Sequence, residues 1–74
     1  MARHKSFGLK VAEARALASP RLSRRELAKR LKDSGLEISP AEIAEIENGK
    51  RPLNYYQVTV LAGVLNTTAN QLLS

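Results

Sequence analysis

The chain of 74 residues has no cysteine, one histidine and few aromatic residues. Without cysteine it can form neither a disulfide nor a thiolate zinc site, and His4 has no evident metal-ligating partners. Two tyrosines and one phenylalanine are too few for a surface that stacks single-stranded bases. No apolar run approaches the ~20 residues of a membrane span, and there is no signal-peptide pattern. We therefore expect a cytoplasmic protein that uses no metal or cofactor, contacts no membrane and binds no evident small-molecule ligand.

Catalytic arrangements are also missing from the sequence. It has no nucleophile–base pair, no clustered set of His, Asp and Glu, and no phosphate-binding loop. We therefore predict that the chain is not an enzyme. At this length it forms one domain with a modest core, so its packing must be efficient or a partner must contribute.

Charge is present in excess and is unevenly distributed. Residues 1–32 hold ten Lys and Arg against two Glu, a balance of +8, whereas residues 33–74 have a balance of −3. The net charge is +5 and the pI is about 10.1. Basic residues gathered in one half suit a polyanionic partner, although net charge also serves solubility alone.

The apolar spacing predicts an all-α chain of five short helices that follows a flexible basic arm at residues 1–6. Leu17 is expected to face inward from helix 1, and one of Tyr55 and Tyr56 is expected to pack on the core from helix 4. The helices are predicted over about 7–18, 24–33, 40–48 and 55–65, with a short fifth helix ending at Leu72-Leu73.

The pattern Ser-x-x-Glu stands at the start of two of the predicted helices. In this capping box the serine accepts from the glutamate N–H, and the glutamate side chain reaches back to the serine N–H. Ser23 with Glu26 begins helix 2. Ser39 with Glu42 begins helix 3, where Pro40 takes the first helical position. Two such amphipathic helices in a small basic domain indicate a helix-turn-helix.

Similar signals bound the other helices. Asn54 and Thr68, each followed three residues later by Gln, are predicted to cap helices 4 and 5. The pair Asn48-Gly49 and the single Asn66 are predicted to end helices 3 and 4 through a left-handed residue. The caps and the apolar period therefore predict the same all-α organisation.

These motifs resemble the phage-repressor and Cro type of helix-turn-helix, the XRE family, from Phe7 to Leu73. The resemblance implies a compact five-helix lambda-repressor-like domain, residues 7–74, in which helices 2 and 3 form the helix-turn-helix. It also implies a regulator that binds operator DNA as a dimer, in a bacterial or phage-type nucleoid-associated setting. The matching segments are Leu22-Ser23-x-x-Glu26-Leu27-Ala28, Ile43-Ala44-x-Ile46-Glu47-Asn48-Gly49-Lys50-Arg51-Pro52, and Leu61-Ala62-x-x-Leu65 with Leu72-Leu73.

The connection between helices 2 and 3 is several residues longer here than the family usually has. The segment Lys32–Ser39 is therefore expected to extend helix 2 or to bulge the turn. Leu36 and Ile38 are expected to enter the core from this connection.

The resemblance assigns DNA contacts to helices 2 and 3. Arg24 stands where the family often has a phosphate-binding glutamine, and its guanidinium suits phosphate. The positions of helix 3 that often read bases in the family are Pro40, Ala41 and Glu45. Ala41 can meet a thymine methyl, and Glu42 or Glu45 can accept from cytosine N4. The two glutamates are equally well explained as a capping residue and a solvated helix residue.

The loop after helix 3 completes the predicted DNA surface. Asn48, Lys50 and Arg51 are expected to bind phosphates there, and Asn54 can expose backbone N–H groups to another phosphate. The whole predicted surface consists of Arg24, Ser39, Pro40, Ala41, Glu42, Ala44, Glu45, Asn48, Lys50, Arg51 and Asn54.

An ion pair and a dimer patch are also predicted. The resemblance pairs Arg15 with Glu47 as a partly buried structural ion pair. Val60 and Val64 lie beside the core face of helix 4, and Gly63 between them permits close approach of another backbone, so a dimer patch is predicted unless helix 5 covers it. The patch consists of Val60, Gly63, Val64, Leu72 and Leu73.

We therefore expect a homodimeric regulator, a repressor, that binds double-stranded DNA with helix 3 in the major groove. Its sequence preference would come partly from helix 3 and partly from DNA shape. The alternative is a protein-interaction module on the same fold, antitoxin-like or an adaptor, whose acidic helix 3 meets a partner protein.

Overall fold

In a computed structural model, the backbone is described for residues 3–74 and the side chains for residues 6–74. This part of the chain is all-α, without strands, which confirms the predicted class. The five helices are α1 Arg3–Leu17, α2 Arg24–Asp33, α3 Pro40–Glu47, α4 Tyr55–Val64 and α5 Ala69–Leu73.

The predicted caps begin the helices, with two exceptions in detail. At α3 the Ser39 hydroxyl accepts from the Glu42 N–H at 3.1 Å, and the Glu42 carboxylate accepts from the Ser39 N–H at 2.9 Å. Asn54 forms the same reciprocal pair at α4. At α2 only the serine half of the box forms, because the Glu26 carboxylate lies 3.5 Å from Arg30, one turn along the helix. At α5, likewise, the Gln71 side chain bonds Thr67 instead of reaching back.

Left-handed residues end three of the helices. Gly35, Gly49 and Asn66 have φ of 90°, 74° and 61° after α2, α3 and α4. At each end the next residue donates its N–H to a carbonyl five positions back, as Lys50 does to Glu45 at 2.8 Å. This hydrogen bond satisfies one of the last carbonyls of each helix. Together with the left-handed residue it confirms the helix ends predicted at Gly49 and Asn66.

The core lies among all five helices, and α3 packs against both α1 and α2. Leu36 and Ile38 are buried, so the long connection bulges into the core while α2 ends at Asp33. The buried apolar residues are Phe7, Val11, Leu22, Leu27, Leu31, Leu36, Ile38, Ile43, Ile46, Val58, Leu61, Ala62, Leu65 and Leu72.

Three sequence predictions differ from the structure. Helix α1 begins at Arg3, so residues 3–6 of the predicted flexible arm are helical, because no glycine or proline interrupts them. Residues 1 and 2 lie outside the described part. Leu17 is 77% exposed, because α1 ends there and the chain turns back, with the Leu22 N–H donating to the Arg15 carbonyl.

Neither tyrosine at the start of α4 packs on the core. Tyr55 and Tyr56 are both about two-thirds exposed, because Val58 and Leu61 supply the inward face of that helix.

Within residues 3–74, no helix has the length and apolarity needed to cross a membrane.

Gly8 allows α1 to lie directly against the end of α3. A Cβ at this position would overlap the carbonyl oxygens of Ile46 and Glu47. Because those atoms are backbone, they cannot swing aside as a flexible side chain would. The lack of a side chain at Gly8 therefore sets how closely α1 and α3 approach.

Candidate nucleic-acid interface

Helix α3 divides into an inward and an outward face. Ile43 and Ile46 are each 1% exposed and hold the helix on the core. Pro40, Ala41 and Glu45 are exposed, and Ala44 is half-buried beside them. The outward face therefore has small side chains near the start of the helix and an acidic side chain farther along.

Arg51 lies against this outward face. Its Nε donates to Glu45 Oε1 and its Nη2 donates to Glu42 Oε2, both at 3.1 Å. The three side chains Glu42, Glu45 and Arg51 form what we call the outer cluster, and each is between 38% and 52% exposed. Arg51, predicted as a phosphate contact, thus already has two carboxylates as partners.

The Glu42 carboxylate is stabilised in its charged form. The Ser39 backbone N–H that donates to it lowers the pKa of Glu42 below its ordinary value of 4.5, and the Arg51 charge and the Ser39 hydroxyl add to the effect. Partial removal from water opposes this shift without cancelling it. Glu42 is therefore fixed as a charged cap.

A second set of charges holds the other end of α3. Glu47 is 6% exposed, and its Oε2 lies 2.8 Å from Arg15 Nε, which is the pair that the family resemblance implies. Its Oε1 accepts from Arg15 Nη2 at 3.1 Å and from Arg24 Nε at 3.0 Å. We call Arg15, Arg24 and Glu47 the inner cluster.

The inner cluster joins three parts of the fold. Arg15 also donates from Nη1 to the Leu22 carbonyl at 3.0 Å, so its guanidinium links α1, α3 and the residues before α2. Among side chains described here, no buried nitrogen or oxygen lacks a partner. Arg24, predicted only as a phosphate contact, is part of this network and remains nearly half exposed.

Three cations of α2 line a shallow groove that leads to the start of α3. Arg25, Lys29 and Lys32 share this groove with Ser39 and Pro40. All three are exposed, and none forms an ion pair within the described residues. We call Arg25, Lys29 and Lys32 the α2 stripe.

The remaining predicted contacts lie at the ends of α3 and α4. Asn48 is exposed, and its backbone N–H closes α3 on the Ala44 carbonyl at 3.0 Å. Lys50 is exposed and has no ion-pair partner among the described residues. The Asn54 side-chain oxygen is occupied in capping α4, accepting from the Gln57 N–H at 2.8 Å.

The predicted dimer patch is only partly available. Leu72 is 3% exposed and belongs to the core, because α5 turns this residue inward, so its assignment to the patch is wrong. Leu73 is half exposed, while Val60 and Val64 are half-buried against the core. A Cβ on Gly63 would meet nothing within 4 Å, so that position is open.

Sequence reasoning missed the α2 stripe. It also missed the ion-pair partners of Arg24 and of Arg51. The stripe has a readable signal, because Arg25, Lys29 and Lys32 are spaced i, i+4, i+7 and must share one helical face. The pairing of Arg51 with Glu42 and Glu45 has no signal in the sequence, because it depends on how the loop after Gly49 folds back onto α3.

In the part of the chain with described side chains, no group of three His, Cys, Asp or Glu residues is placed to hold a metal ion. Comparison with protein-family models, curated proteins and solved structures finds no match. The geometry of α3 and the cations around it is therefore the basis for assigning a function.

Proposed function

We propose that the chain is a regulator of the XRE helix-turn-helix type that binds double-stranded DNA. Helix α3 would enter the major groove, and the α2 stripe would lie along the flanking phosphates. The observation that carries the proposal is the stripe itself. Its three cations have no ion-pair partner among the described residues and lie along a groove that ends at α3 and is also lined by Glu37 and Glu42.

The start of α3 is shaped for close approach to a groove floor. Pro40 and Ala41 are exposed and short, so the helix can come near base edges without removing long side chains from water. Ala41 suits contact with a thymine methyl group. Such a surface favours a sequence preference set by one or two contacts and by DNA shape.

The phosphate role assigned to Arg24 is compatible with its ion pair. Its Nε and Nη2 are directed at Glu47, while the side chain stays 46% exposed. A phosphate can therefore take a remaining donor while Glu47 keeps the guanidinium in place. Lys50, exposed after α3, supplies a further contact of the same kind.

Action as a homodimeric repressor is part of the same proposal. The apolar residues available for dimerisation are Val60 and Val64, which are half-buried, and Leu73, which is half exposed, with open space at Gly63. A two-fold pair of recognition helices would read a palindromic site.

The test is an anisotropy titration of random-sequence duplex over a range of salt concentrations, comparing Lys29→Gln with Arg30→Gln. Both variants remove one cation from adjacent positions of α2, but Arg30 pairs with Glu26 and does not line the groove of the α2 stripe. We expect the parent to bind with a steep salt dependence, because phosphate contacts release counterions. Lys29→Gln should reduce the slope of log K against log salt by about 1, and Arg30→Gln should leave it nearly unchanged.

Equal losses in the two variants would show that net charge, and not the α2 stripe, drives binding.

A second candidate function is favoured by the outer cluster, whose two carboxylates outnumber its one cation and leave the face of α3 acidic. That face would suit a basic surface of a protein partner. Absence of salt-dependent duplex binding by the parent would select this adaptor or antitoxin-like role.

A further inference from the structure

We propose that Arg51 is a positioning residue, and that it holds Glu45 so that one carboxylate oxygen reads the N4 amino group of a cytosine. The inference rests on the proposed DNA-binding function and assigns a base to one side chain of α3. It replaces the phosphate contact predicted for Arg51 and distinguishes between the two glutamates.

The hydrogen bonds of the outer cluster leave one carboxylate oxygen without a bond to any described residue. Glu42 Oε1 accepts from the Ser39 N–H, and Glu42 Oε2 accepts from Arg51 Nη2. Glu45 Oε1 accepts from Arg51 Nε. Glu45 Oε2 is therefore the carboxylate oxygen of this cluster with no partner among the described residues.

Arg51 can hold Glu45 because its own position is fixed at two points. The planar guanidinium bonds Glu42 through Nη2 and Glu45 through Nε. Glu42 is in turn fixed by its capping bond to Ser39. This chain of side-chain bonds runs from Glu45 through Arg51 to Glu42 and ends on the Ser39 backbone N–H, so the Glu45 carboxylate is oriented before any ligand arrives.

The charge of Arg51 also makes a carboxylate tolerable near DNA. A glutamate alone beside phosphates is repelled, and a cation at 3.1 Å, which Glu45 shares with Glu42, offsets part of that repulsion. An arginine that serves this purpose is not free to bind phosphate. This accounts for a cation folded back on α3 in a chain that has many exposed ones.

A carboxylate selects cytosine by the complementarity of donors and acceptors. An ionised carboxylate only accepts, and the cytosine N4 amino group is a donor in the major groove. Guanine O6 and N7 and thymine O4 are acceptors that would repel it. Adenine offers its N6 donor beside the N7 acceptor and should come second.

The experiment is selection of bound sites from a random duplex pool by the parent and by Glu45→Gln, Arg51→Ala and Lys50→Ala, followed by titration of the selected site. The parent should enrich cytosine at one position of each half-site by about 5- to 10-fold. Glu45→Gln should move that position toward adenine, because a glutamine amide pairs with adenine N6 and N7. Arg51→Ala should lose the cytosine preference.

Lys50→Ala is the matched control, since Lys50 is an exposed neighbour of Arg51 without an ion pair among the described residues. It should weaken binding to all sequences alike and keep the cytosine. If Arg51→Ala behaves like Lys50→Ala, Arg51 is an ordinary phosphate contact and the inference is wrong. DNA binding without any cytosine preference overturns this inference alone, whereas no duplex binding by the parent overturns the proposed function with it.

Discussion

The inner and outer clusters both pair arginine with glutamates of α3, and they differ in their exposure. The inner cluster has a buried carboxylate between two arginines, and the outer cluster has a half-exposed arginine between two carboxylates. Water screens charges at the surface and screens buried charges far less. The inner cluster therefore governs whether α3 stays in place, and the outer cluster governs what α3 presents.

The contrast separates a buried charge from exposed charges on one eight-residue helix. Ion pairs between exposed side chains contribute between about 0 and 1 kcal/mol, whereas removal of one partner from a buried pair costs about 3–5 kcal/mol. The outer cluster can therefore change with little effect on folding. The inner cluster cannot.

The largest effect should come from Glu47→Gln. This change leaves the Arg15 guanidinium, whose side chain is only 17% exposed, without the carboxylate that compensates its charge. We expect the free energy of unfolding to fall by about 3 kcal/mol, measured by urea denaturation at pH 7.

The matched control is Glu45→Gln, the same substitution one half-turn away in the outer cluster. Because the Glu45 side chain is 52% exposed, we expect a change within about 0.5 kcal/mol. Equal losses in the two variants would contradict the assignment of different roles to the two clusters.

The second-largest effect should come from Gly8→Ala, which tests the close contact between α1 and the α3 backbone beside the inner cluster. Gly8→Ala places a methyl group against the carbonyls of Ile46 and Glu47, so α1 and α3 must separate. We expect a loss of about 1–3 kcal/mol, measured as a lower thermal midpoint.

Gly63→Ala provides the opposite case in another helix. Its new Cβ meets nothing within 4 Å, and alanine is the better helix former, so we expect a gain of up to about 1 kcal/mol. A comparable loss in both variants would mean that helical glycine is needed for some reason other than the α1–α3 contact.

Local features of this fold were predictable because neighbouring residues encode them. The reciprocal capping box of Ser39 and Glu42, and the left-handed end at Gly49, need only a few consecutive residues. The buried face of α4 follows from its apolar period in the same way. The Arg15–Glu47 pair came from the family resemblance and not from periodicity.

Features that depend on packing were not predictable in the same way. The exposed Leu17 and the exposed Tyr55 and Tyr56 satisfy a helical period, but no neighbouring element covers them. The fold-back of Arg51 onto α3 joins residues across a helix end, where no period applies. The position of Gly8 against α3 depends on a contact 38 residues away in the chain.

The smallest expected effect is the contribution of Glu42 in the outer cluster to stability, which is present at neutral pH and is lost in acid. The pKa of Glu42 is lowered in the folded protein, chiefly by the Ser39 backbone N–H and then by Arg51. A lowered pKa contributes stability that is present above the ordinary value of 4.5 and is lost as the pH falls through the folded value. The parent should therefore lose part of its stability below pH 4.5 because Glu42 becomes protonated.

Glu42→Gln isolates that contribution, because glutamine still completes a capping box but does not titrate. In urea denaturation at pH 7 and at about pH 3, the parent should exceed the variant at pH 7, and the gap should narrow in acid. Equal stability of parent and variant at both pH values would assign the role of Glu42 to the shape of the cap and not to its charge. The outer cluster would then lose its fixed anion, and Arg51 would be held by Glu45 alone.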